Sequence, residues 1–177
     1  MKIGIVGLGL IGGSIGLKLK SLKHTVYGIT NNSFNTNKAK DRKLADIVSQ
    51  DYSLLKDCSI VILALPIKDL LNPSQDLIDS LPRRAIITDV GSVKTPILKI
   101  WEKIHPLFIG SHPMAGTEEK GVSAGNIKLF DNAKWILTPT STSDQKSIKV
   151  LYKLFESMGC YVSIESPLIH DQAVALI

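Results

Sequence analysis

Cysteine is scarce in this sequence, since Cys58 and Cys160 are the only two among 177 residues. Neither stands near another cysteine or a histidine at the spacing of metal ligands, so we expect no metal site. A single bridge between them would be unusual in an intracellular domain, and we expect no disulfide scaffold. Both side chains are predicted to be buried or partly buried thiols.

Long apolar runs are also missing from the chain. No stretch approaches the roughly 20 apolar residues that a membrane-spanning helix needs. The N-terminus passes directly into a strand-like segment, with no basic leader and no small-residue cleavage site. We therefore expect no membrane segment and a cytoplasmic location.

Aromatic residues make up only 6% of the chain, and the basic residues are scattered. Both features argue against a surface that stacks on nucleic-acid bases, so nucleic acid is not an expected partner. The 21 Lys and Arg outnumber the 16 Asp and Glu, giving a formal net charge of +5. This excess suits a polyanionic cofactor and an acidic small-molecule substrate, or it belongs to a solvated surface.

Glycine, in contrast, is concentrated near the N-terminus, in the segment KIGIVGLGLIGGSIG. Lys2–Val6 has the pattern of a buried strand, and a helical pattern follows the glycines, which are spaced G-x-G-x-x-G. Such glycines allow a tight turn, a close approach of a pyrophosphate and close packing of helix on strand. The alternative is a glycine-rich turn that binds nothing. The predicted cofactor-binding residues of this motif are Gly7, Gly9, Leu10, Ile11 and Gly12.

Further strand patterns alternate with helical ones along the whole chain. This alternation predicts an α/β fold of the doubly wound Rossmann type, with a mostly parallel sheet and helices on both faces. Residues 1–166 would form this domain, and 167–177 would begin a helix that leads elsewhere. The other predicted strands are Thr25–Ile29, Ser59–Leu65, Ala85–Asp89, Phe108–Ser111, Trp135–Thr138 and Cys160–Ile164. The other predicted helices cover about 37–43, 72–81, a segment from Pro96, about 143–158 and a segment from Pro167.

The end of the second predicted strand is where such a fold meets the adenosine ribose of its cofactor. An Asp or Glu at this position would favour NAD, because it accepts from the ribose hydroxyls and repels a 2′-phosphate. The residues here are instead Thr30, Asn31 and Ser33, whose donors favour NADP, although an ordinary polar turn has the same composition. The basic residues that could assist are Lys38, Lys40 and Arg42.

Two other predicted strands end close to the same edge of the sheet. Leu65 and Pro66 end one of them, and the proline turns the chain towards the cofactor. Ser92 follows the next strand and could offer its hydroxyl to the cofactor or the substrate, or it could cap a helix. Lys94 could face the substrate or the solvent.

His112 follows a short predicted strand and precedes a flexible loop of small residues that contains Thr117. A histidine held at the edge of a pocket suits proton transfer, because its ordinary pKa is close to neutral. The alternative is a structural or surface histidine.

Four segments resemble one family, the prephenate and arogenate dehydrogenases of tyrosine biosynthesis. They are VGLGLIGGSIG from Val6, TDVGSVK from Thr88, GSHPMAGTEEKG from Gly110 and HDQAVALI from His170. The resemblance covers the whole chain but only the nucleotide-binding half of the family. The family's other half is a helical domain that makes a homodimer and supplies part of the substrate pocket, including a cationic group.

The resemblance implies oxidative decarboxylation of a cyclohexadienyl acid, with hydride passing to a nicotinamide dinucleotide. His112 would be the general base or would polarise the ring hydroxyl, and Ser92 would hydrogen-bond His112 or the substrate. Family members that use NADP lack an acidic residue after the second strand, as this chain does. The catalytic and substrate-binding residues implied by the resemblance are Ser92, His112, Thr117 and His170. For His170, a helix residue bonded to Asp171 is an equal alternative.

Two other functions remain compatible with the fold. One is a β-hydroxyacid dehydrogenase-like enzyme, although the segment GSHPMAGTEEKG argues against it. The other is a domain that binds a dinucleotide without turning a substrate over. If the chain belongs to a prephenate or arogenate dehydrogenase, we expect this fragment alone to be inactive.

Overall fold

The computed structural model describes residues 1–177 and contains one eight-stranded sheet with seven helices. The strands are β1 Lys2–Val6, β2 Thr25–Ile29, β3 Ile47–Ser49, β4 Ile60–Leu63, β5 Ile86–Asp89, β6 Phe108–Met114, β7 Lys134–Thr138 and β8 Tyr161–Ile164. The helices are α1 Leu10–Ser21, α2 Ser33–Asp41, α3 Ile67–Leu71, α4 Gln75–Ser80, α5 Thr95–Ile104, α6 Gln145–Ser157 and α7 Pro167–Val174. None of the helices combines the length and apolar character that crossing a bilayer requires.

The strand order is β3-β2-β1-β4-β5-β6-β7-β8. Neighbouring strands are parallel except for β6 and β7, so the predicted doubly wound, mostly parallel fold is confirmed. The order reverses between β1 and β4, since the chain first builds one side of the sheet and then the other. In open α/β sheets ligands bind outside the carboxyl ends of the strands at such a point.

A separate hydrophobic core lies on each face of the sheet, as the prediction of helices on both faces requires. One core packs Ile15 and Leu19 of α1 against β1 and includes Phe155 of α6. The other includes Leu77 of α4 and Trp101 of α5. The four residues of β4 are all buried, as expected of a strand covered on both sides.

Both cysteines are buried and free, as predicted. Burial raises the pKa of the Cys58 and Cys160 thiols to about 11. Both thiols therefore remain protonated at neutral pH.

Two helices begin at residues that differ from the predicted ones, because the position of a capping side chain determines where each helix begins. The helix predicted over 37–43 begins at Ser33, since the Asn32 side chain accepts from the N–H of Asn35. The helix predicted to begin at Asn72 and Pro73 begins at Gln75, because Ser74 provides the cap. The short helix α3 was not predicted.

Strand β6 continues three residues beyond the predicted end at Ser111. Antiparallel pairing with β7 extends it, with His112 opposite Ile136 and Met114 opposite Lys134. Because β5 pairs only with the first two residues of β6, the other edge of β6 is unpaired at Pro113, where a proline is tolerated. His112 therefore lies within a strand and not at its end.

Candidate active site at the switch point of the sheet

A cleft of about 910 Å³ opens at the carboxyl ends of β1, β4 and β5. Its volume is in the range of small-molecule binding sites. The cleft brings together most of the predicted cofactor-binding residues and two of the predicted substrate-binding residues. These are Gly7, Gly9, Leu10, Ile11, Gly12, Thr30, Asn31, Leu65, Pro66, Ser92 and Thr117. Three predicted residues do not line it, namely Ser33, His112 and His170.

The glycine turn between β1 and α1 is closely packed at two of its positions. Gly7 has φ +95°, and a Cβ there would lie 2.4 Å from the carbonyl oxygen of Ala64. A Cβ on Gly12 would lie 1.8 Å from the carbonyl oxygen of Gly7. Only glycine fits at either position, because the helix and the neighbouring strand approach the turn so closely.

Gly9 differs from the other two, since a Cβ there would meet no heavy atom within 4 Å. It precedes α1, whose N-terminus has no side-chain cap and no acidic residue in its first turn. The unpaired N–H groups and the positive end of the helix dipole can therefore hold an anion. The open space at Gly9 and the uncapped helix fit the pyrophosphate of a dinucleotide.

Polar side chains at the end of β2 already bond to one another. The Thr30 hydroxyl is 2.5 Å from that of Thr36, and the Asn31 side-chain oxygen accepts from Asn35 at 2.8 Å. The Ser33 hydroxyl accepts from Gln50 at 3.3 Å. No carboxylate stands in the turn from Thr30 to Ser33.

The basic residues that could have assisted at the ribose position have other contacts. Arg42 donates to the carbonyl oxygens of Val122 and Gly125, at 3.2 and 2.7 Å. The Lys38 ammonium lies 5.8 Å from the centre of the Phe34 ring. None of Lys38, Lys40 and Arg42 lines the cleft, and the basic residue that does line it is Lys120.

Lys94 neither faces the substrate nor is solvated, contrary to both sequence-based alternatives. Its side chain is fully buried and pairs with the equally buried carboxylate of Asp89. Its ammonium also donates to the carbonyl oxygen of Ser111 at 2.6 Å. Asp89 accepts in addition from the N–H groups of Gly91 and Ser111. Burial lowers the pKa of Lys94, and the charge of Asp89 opposes that shift.

His112, His170 and Asp171 form a chain of hydrogen bonds beside this pair. Nδ1 of His112 lies 2.9 Å from Nε2 of His170, whose Nδ1 lies 2.8 Å from Oδ1 of Asp171. Asp171 also accepts from the N–H groups of Lys94 and Thr95, at 2.8 and 2.9 Å, and so caps α5.

The same chain bears on two sequence-based expectations. His170 is only 1% exposed, lies in α7 and is bonded to Asp171, as one of the two alternatives for this residue predicted, and its other ring nitrogen contacts His112. Ser92 makes no hydrogen bond to His112, whose Nδ1 contacts His170, so the other implied partner of Ser92, the substrate, stays a prediction. Ser92 is instead exposed to the cleft.

Sequence reasoning assigned no role to Asp89, and considered Asp171 only as a partner of His170. The sequence does contain a signal for the pairing of Asp89 with Lys94, because this aspartate ends a buried strand and stands five residues before the lysine. For Asp171 the signal is weaker, because its contact with α5 spans 76 residues.

The pKa of His112 is lowered to about 4 by its surroundings. Burial is the largest cause, followed by the electrostatic effects of Lys94 and of the neighbouring His170, and the negative charge of Asp171 opposes them. The imidazole is therefore neutral at neutral pH, and one ring nitrogen carries a lone pair that can accept a proton.

Comparison of the chain with known proteins identifies the family to which it is similar. Residues 15–164 match the family described as "Prephenate dehydrogenase, nucleotide-binding domain". The prephenate dehydrogenase of Bacillus subtilis (strain 168) is 33% identical over 181 residues, which cover 98% of this chain and 48% of that protein.

Two solved structures have the same fold at similar identity. The Synechocystis arogenate dehydrogenase is 40% identical with a TM-score of 0.90, over 99% of this chain and 63% of that one. The prephenate dehydrogenase of A. aeolicus, in complex with hydroxyphenyl propionate and NAD+, is 33% identical with a TM-score of 0.90, over 98% of this chain and 62% of that one. The chain thus spans about half to two thirds of the length of these relatives. It belongs to the prephenate dehydrogenase family and carries the family's nucleotide-binding domain.

Proposed function

We propose that the protein carrying this chain oxidatively decarboxylates arogenate or prephenate, with NADP as the hydride acceptor. The observation that carries this proposal is a neutral, partly buried His112 on the sheet edge that also carries the glycine turn. β1, β4, β5 and β6 are parallel neighbours, so their carboxyl ends point to one edge. A proton acceptor and a dinucleotide site at one edge are what a hydroxyl-oxidising dehydrogenase needs.

In this proposal, some residues of the chain bind the dinucleotide and another transfers the proton. The N-terminus of α1 binds the pyrophosphate, and Leu65 and Pro66 border the same cleft. A bound nicotinamide dinucleotide supplies the carbon that accepts the hydride. His112 accepts the proton of the ring hydroxyl as hydride leaves the same carbon. After carbon dioxide has left and the ring is aromatic, His112 returns that proton to the phenolate oxygen, so no net proton is released.

A pKa of about 4 makes His112 a weak base in the ligand-free protein. A weak base suffices when proton transfer accompanies loss of hydride, because the hydroxyl becomes much more acidic as the carbonyl forms. The acidic substrate also brings negative charge close to His112, which raises the pKa of the imidazole towards the working pH.

Substrate binding in this proposal involves two parts of the protein. Ser92 and Thr117 line the cleft and are exposed, so both are available to a substrate. The family resemblance implies that the cationic group for a substrate carboxylate and the homodimer contact belong to a helical domain outside this chain. We propose that this chain operates together with such a domain.

The preference for NADP rests on what is missing after β2. With no carboxylate from Thr30 to Ser33, nothing there repels a 2′-phosphate, and the N-terminus of α2 adds a favourable dipole. We expect NADP to bind this chain about tenfold more tightly than NAD, because one charge-assisted hydrogen bond is worth about 1.5 kcal/mol. Calorimetric titration of each dinucleotide measures the ratio.

A matched variant tests the same argument in reverse. Asn31→Asp keeps the oxygen that accepts from Asn35 but adds the charge that repels a 2′-phosphate. We expect this substitution to shift the preference towards NAD. Tighter binding of NAD by the unaltered chain would contradict the NADP assignment.

Gly9→Val is expected to weaken dinucleotide binding by about 10- to 100-fold, the loss of one or two charge-assisted hydrogen bonds. The side chain would enter the open space in front of α1 and not the packed protein, so the thermal unfolding midpoint should change little. Titration and thermal unfolding of the same sample separate the two effects. In the comparison variant Gly12→Ala, binding and stability should fall together, because its Cβ meets the backbone at 1.8 Å. Unchanged affinity in Gly9→Val would place the pyrophosphate elsewhere.

The activity itself is tested by incubating the protein that carries this chain with prephenate and with arogenate. Reduced dinucleotide and carbon dioxide should appear in equal amounts with at least one of them. Turnover of a β-hydroxyacid without turnover of either cyclohexadienyl acid would overturn the proposal.

A further inference from the structure

The hydrogen bonds around Asp171 determine where its neighbours carry protons. Oδ1 accepts from the backbone N–H of Lys94 and Oδ2 from that of Thr95, while Nδ1 of His170 lies against Oδ1. Partial burial raises the pKa of Asp171, but the bonds from Thr95, His170 and Lys94 outweigh it and leave the pKa below its ordinary value. Asp171 is therefore an ionised carboxylate, which can only accept hydrogen bonds.

The protons of the two imidazoles follow from this carboxylate. Nδ1 of His170 must carry a hydrogen, because its partner only accepts. In a neutral His170 the other nitrogen, Nε2, then has a lone pair and accepts from Nδ1–H of His112. A neutral His112 with its proton on Nδ1 has its lone pair on Nε2, the nitrogen without a protein partner.

We propose that His170 and Asp171 are positioning residues that hold His112 in its Nδ1–H tautomer and so make Nε2 the proton acceptor. This inference rests on the proposed role of His112 as the base. It assigns His170 to orientation of the base, where sequence resemblance implied contact with the substrate.

The supporting residues are held firmly enough for this role. His170 is 1% exposed and its ring meets that of His112 edge to face, with centroids 5.1 Å apart and an angle of 75° between the planes. Asp171 is anchored to the first turn of α5 by two backbone N–H groups. The other charged groups that face this cluster are Lys94 and Asp89, which neutralise each other.

The same hydrogen bonds also stabilise His112 after it has become positively charged in the reaction. When Nε2 of His112 takes the hydroxyl proton, the new imidazolium still donates Nδ1–H to His170. The negative charge of Asp171, which is bonded to the far side of His170, stabilises that cation without taking up a proton. The logic is that of a hydrolase triad, with a second imidazole inserted between base and carboxylate.

The test is nitrogen-15 NMR of the imidazoles in the 177-residue chain at about pH 8, above the ordinary pKa of histidine. We expect both His112 and His170 to be in the Nδ1–H form. With four histidines in the chain, single substitutions assign each ring. An Nε2–H form of His112 in the unaltered chain would overturn the proposal, and this result needs no variant to fold.

Two substitutions at His170 separate tautomer control from packing. His170→Gln retains an oxygen near the position of Nε2 and should keep His112 in the Nδ1–H form. His170→Phe retains a buried ring but no acceptor, and His112 should move to a mixture that contains the Nε2–H form. A fully Nδ1–H His112 in His170→Phe would contradict the proposal. His24→Asn, far from this cluster, is the control and should leave His112 unchanged.

Turnover in the protein that carries this chain provides a second readout. In His170→Phe we expect kcat to fall about 10²-fold with KM nearly constant, and His170→Gln to recover most of that loss. Equal kcat in His170→Phe and the unaltered protein would overturn the positioning role. The NMR result is independent of turnover, so absence of activity towards cyclohexadienyl acids would reject the proposed function without affecting the tautomer assignment.

Discussion

Lys94→Met is expected to lower the free energy of unfolding by about 3 to 5 kcal/mol, the cost of removing one partner from a buried ion pair. The side chains of Lys94 and Asp89 are both fully buried, so the substitution would leave a carboxylate without its countercharge. Methionine has a similar length and fills most of the same space, which limits any contribution from a cavity. Chemical denaturation followed by circular dichroism measures the change.

Two comparisons identify the unpaired charge as the cause. Lys99→Met removes an exposed lysine from α5, the helix that Lys94 immediately precedes, and should change stability by less than about 0.5 kcal/mol. Adding Asp89→Asn to Lys94→Met removes the orphaned charge and keeps one acceptor oxygen, for the N–H group of either Gly91 or Ser111. The double variant should therefore be more stable than Lys94→Met alone. A loss below about 1 kcal/mol in Lys94→Met would show that the pair contributes little.

The sheet could be predicted from the sequence, except for the short edge strand β3, because its signals are local. A continuous apolar run such as that of β4 belongs to a strand covered on both faces, and strands that alternate with helices build a parallel sheet. Element ends were less accurate because they depend on single side chains, as at Asn32 and Ser74. The extension of β6 to Met114 depends on β7, a strand about 20 residues further along.

In the candidate site, too, local features could be predicted from the sequence and contacts between distant residues could not. The glycine turn is a local motif whose spacing, between a strand pattern and a helix pattern, predicts the pyrophosphate site, and its residues do line the cleft. The chain from His112 to His170 joins residues 58 positions apart, and no periodicity encodes such a contact. Lys94 was expected at the substrate or in solvent because an isolated lysine is rarely buried, and only the fold brings it against Asp89.

His112→Asn is expected to lower turnover by about 10²- to 10⁴-fold in the protein that carries this chain, the usual contribution of a general base. The asparagine amide can replace Nδ1–H as the donor to His170, but nothing replaces Nε2. Packing should therefore change little, and dinucleotide affinity should stay close to normal, since His112 does not line the cleft at the glycine turn. Steady-state kinetics and dinucleotide titration on the same preparation measure both quantities.

The comparison variant for this prediction is His24→Asn. His24 lies between α1 and β2, away from the carboxyl edge of the sheet, and its ring contacts the N-terminal amine at 3.1 Å. Its loss should leave turnover unchanged. Near-normal turnover in His112→Asn would mean that another group takes the hydroxyl proton. Loss of turnover together with loss of dinucleotide binding would instead indicate that His112 supports the cleft, because a base that acts only on the substrate does not alter the affinity for the hydride acceptor.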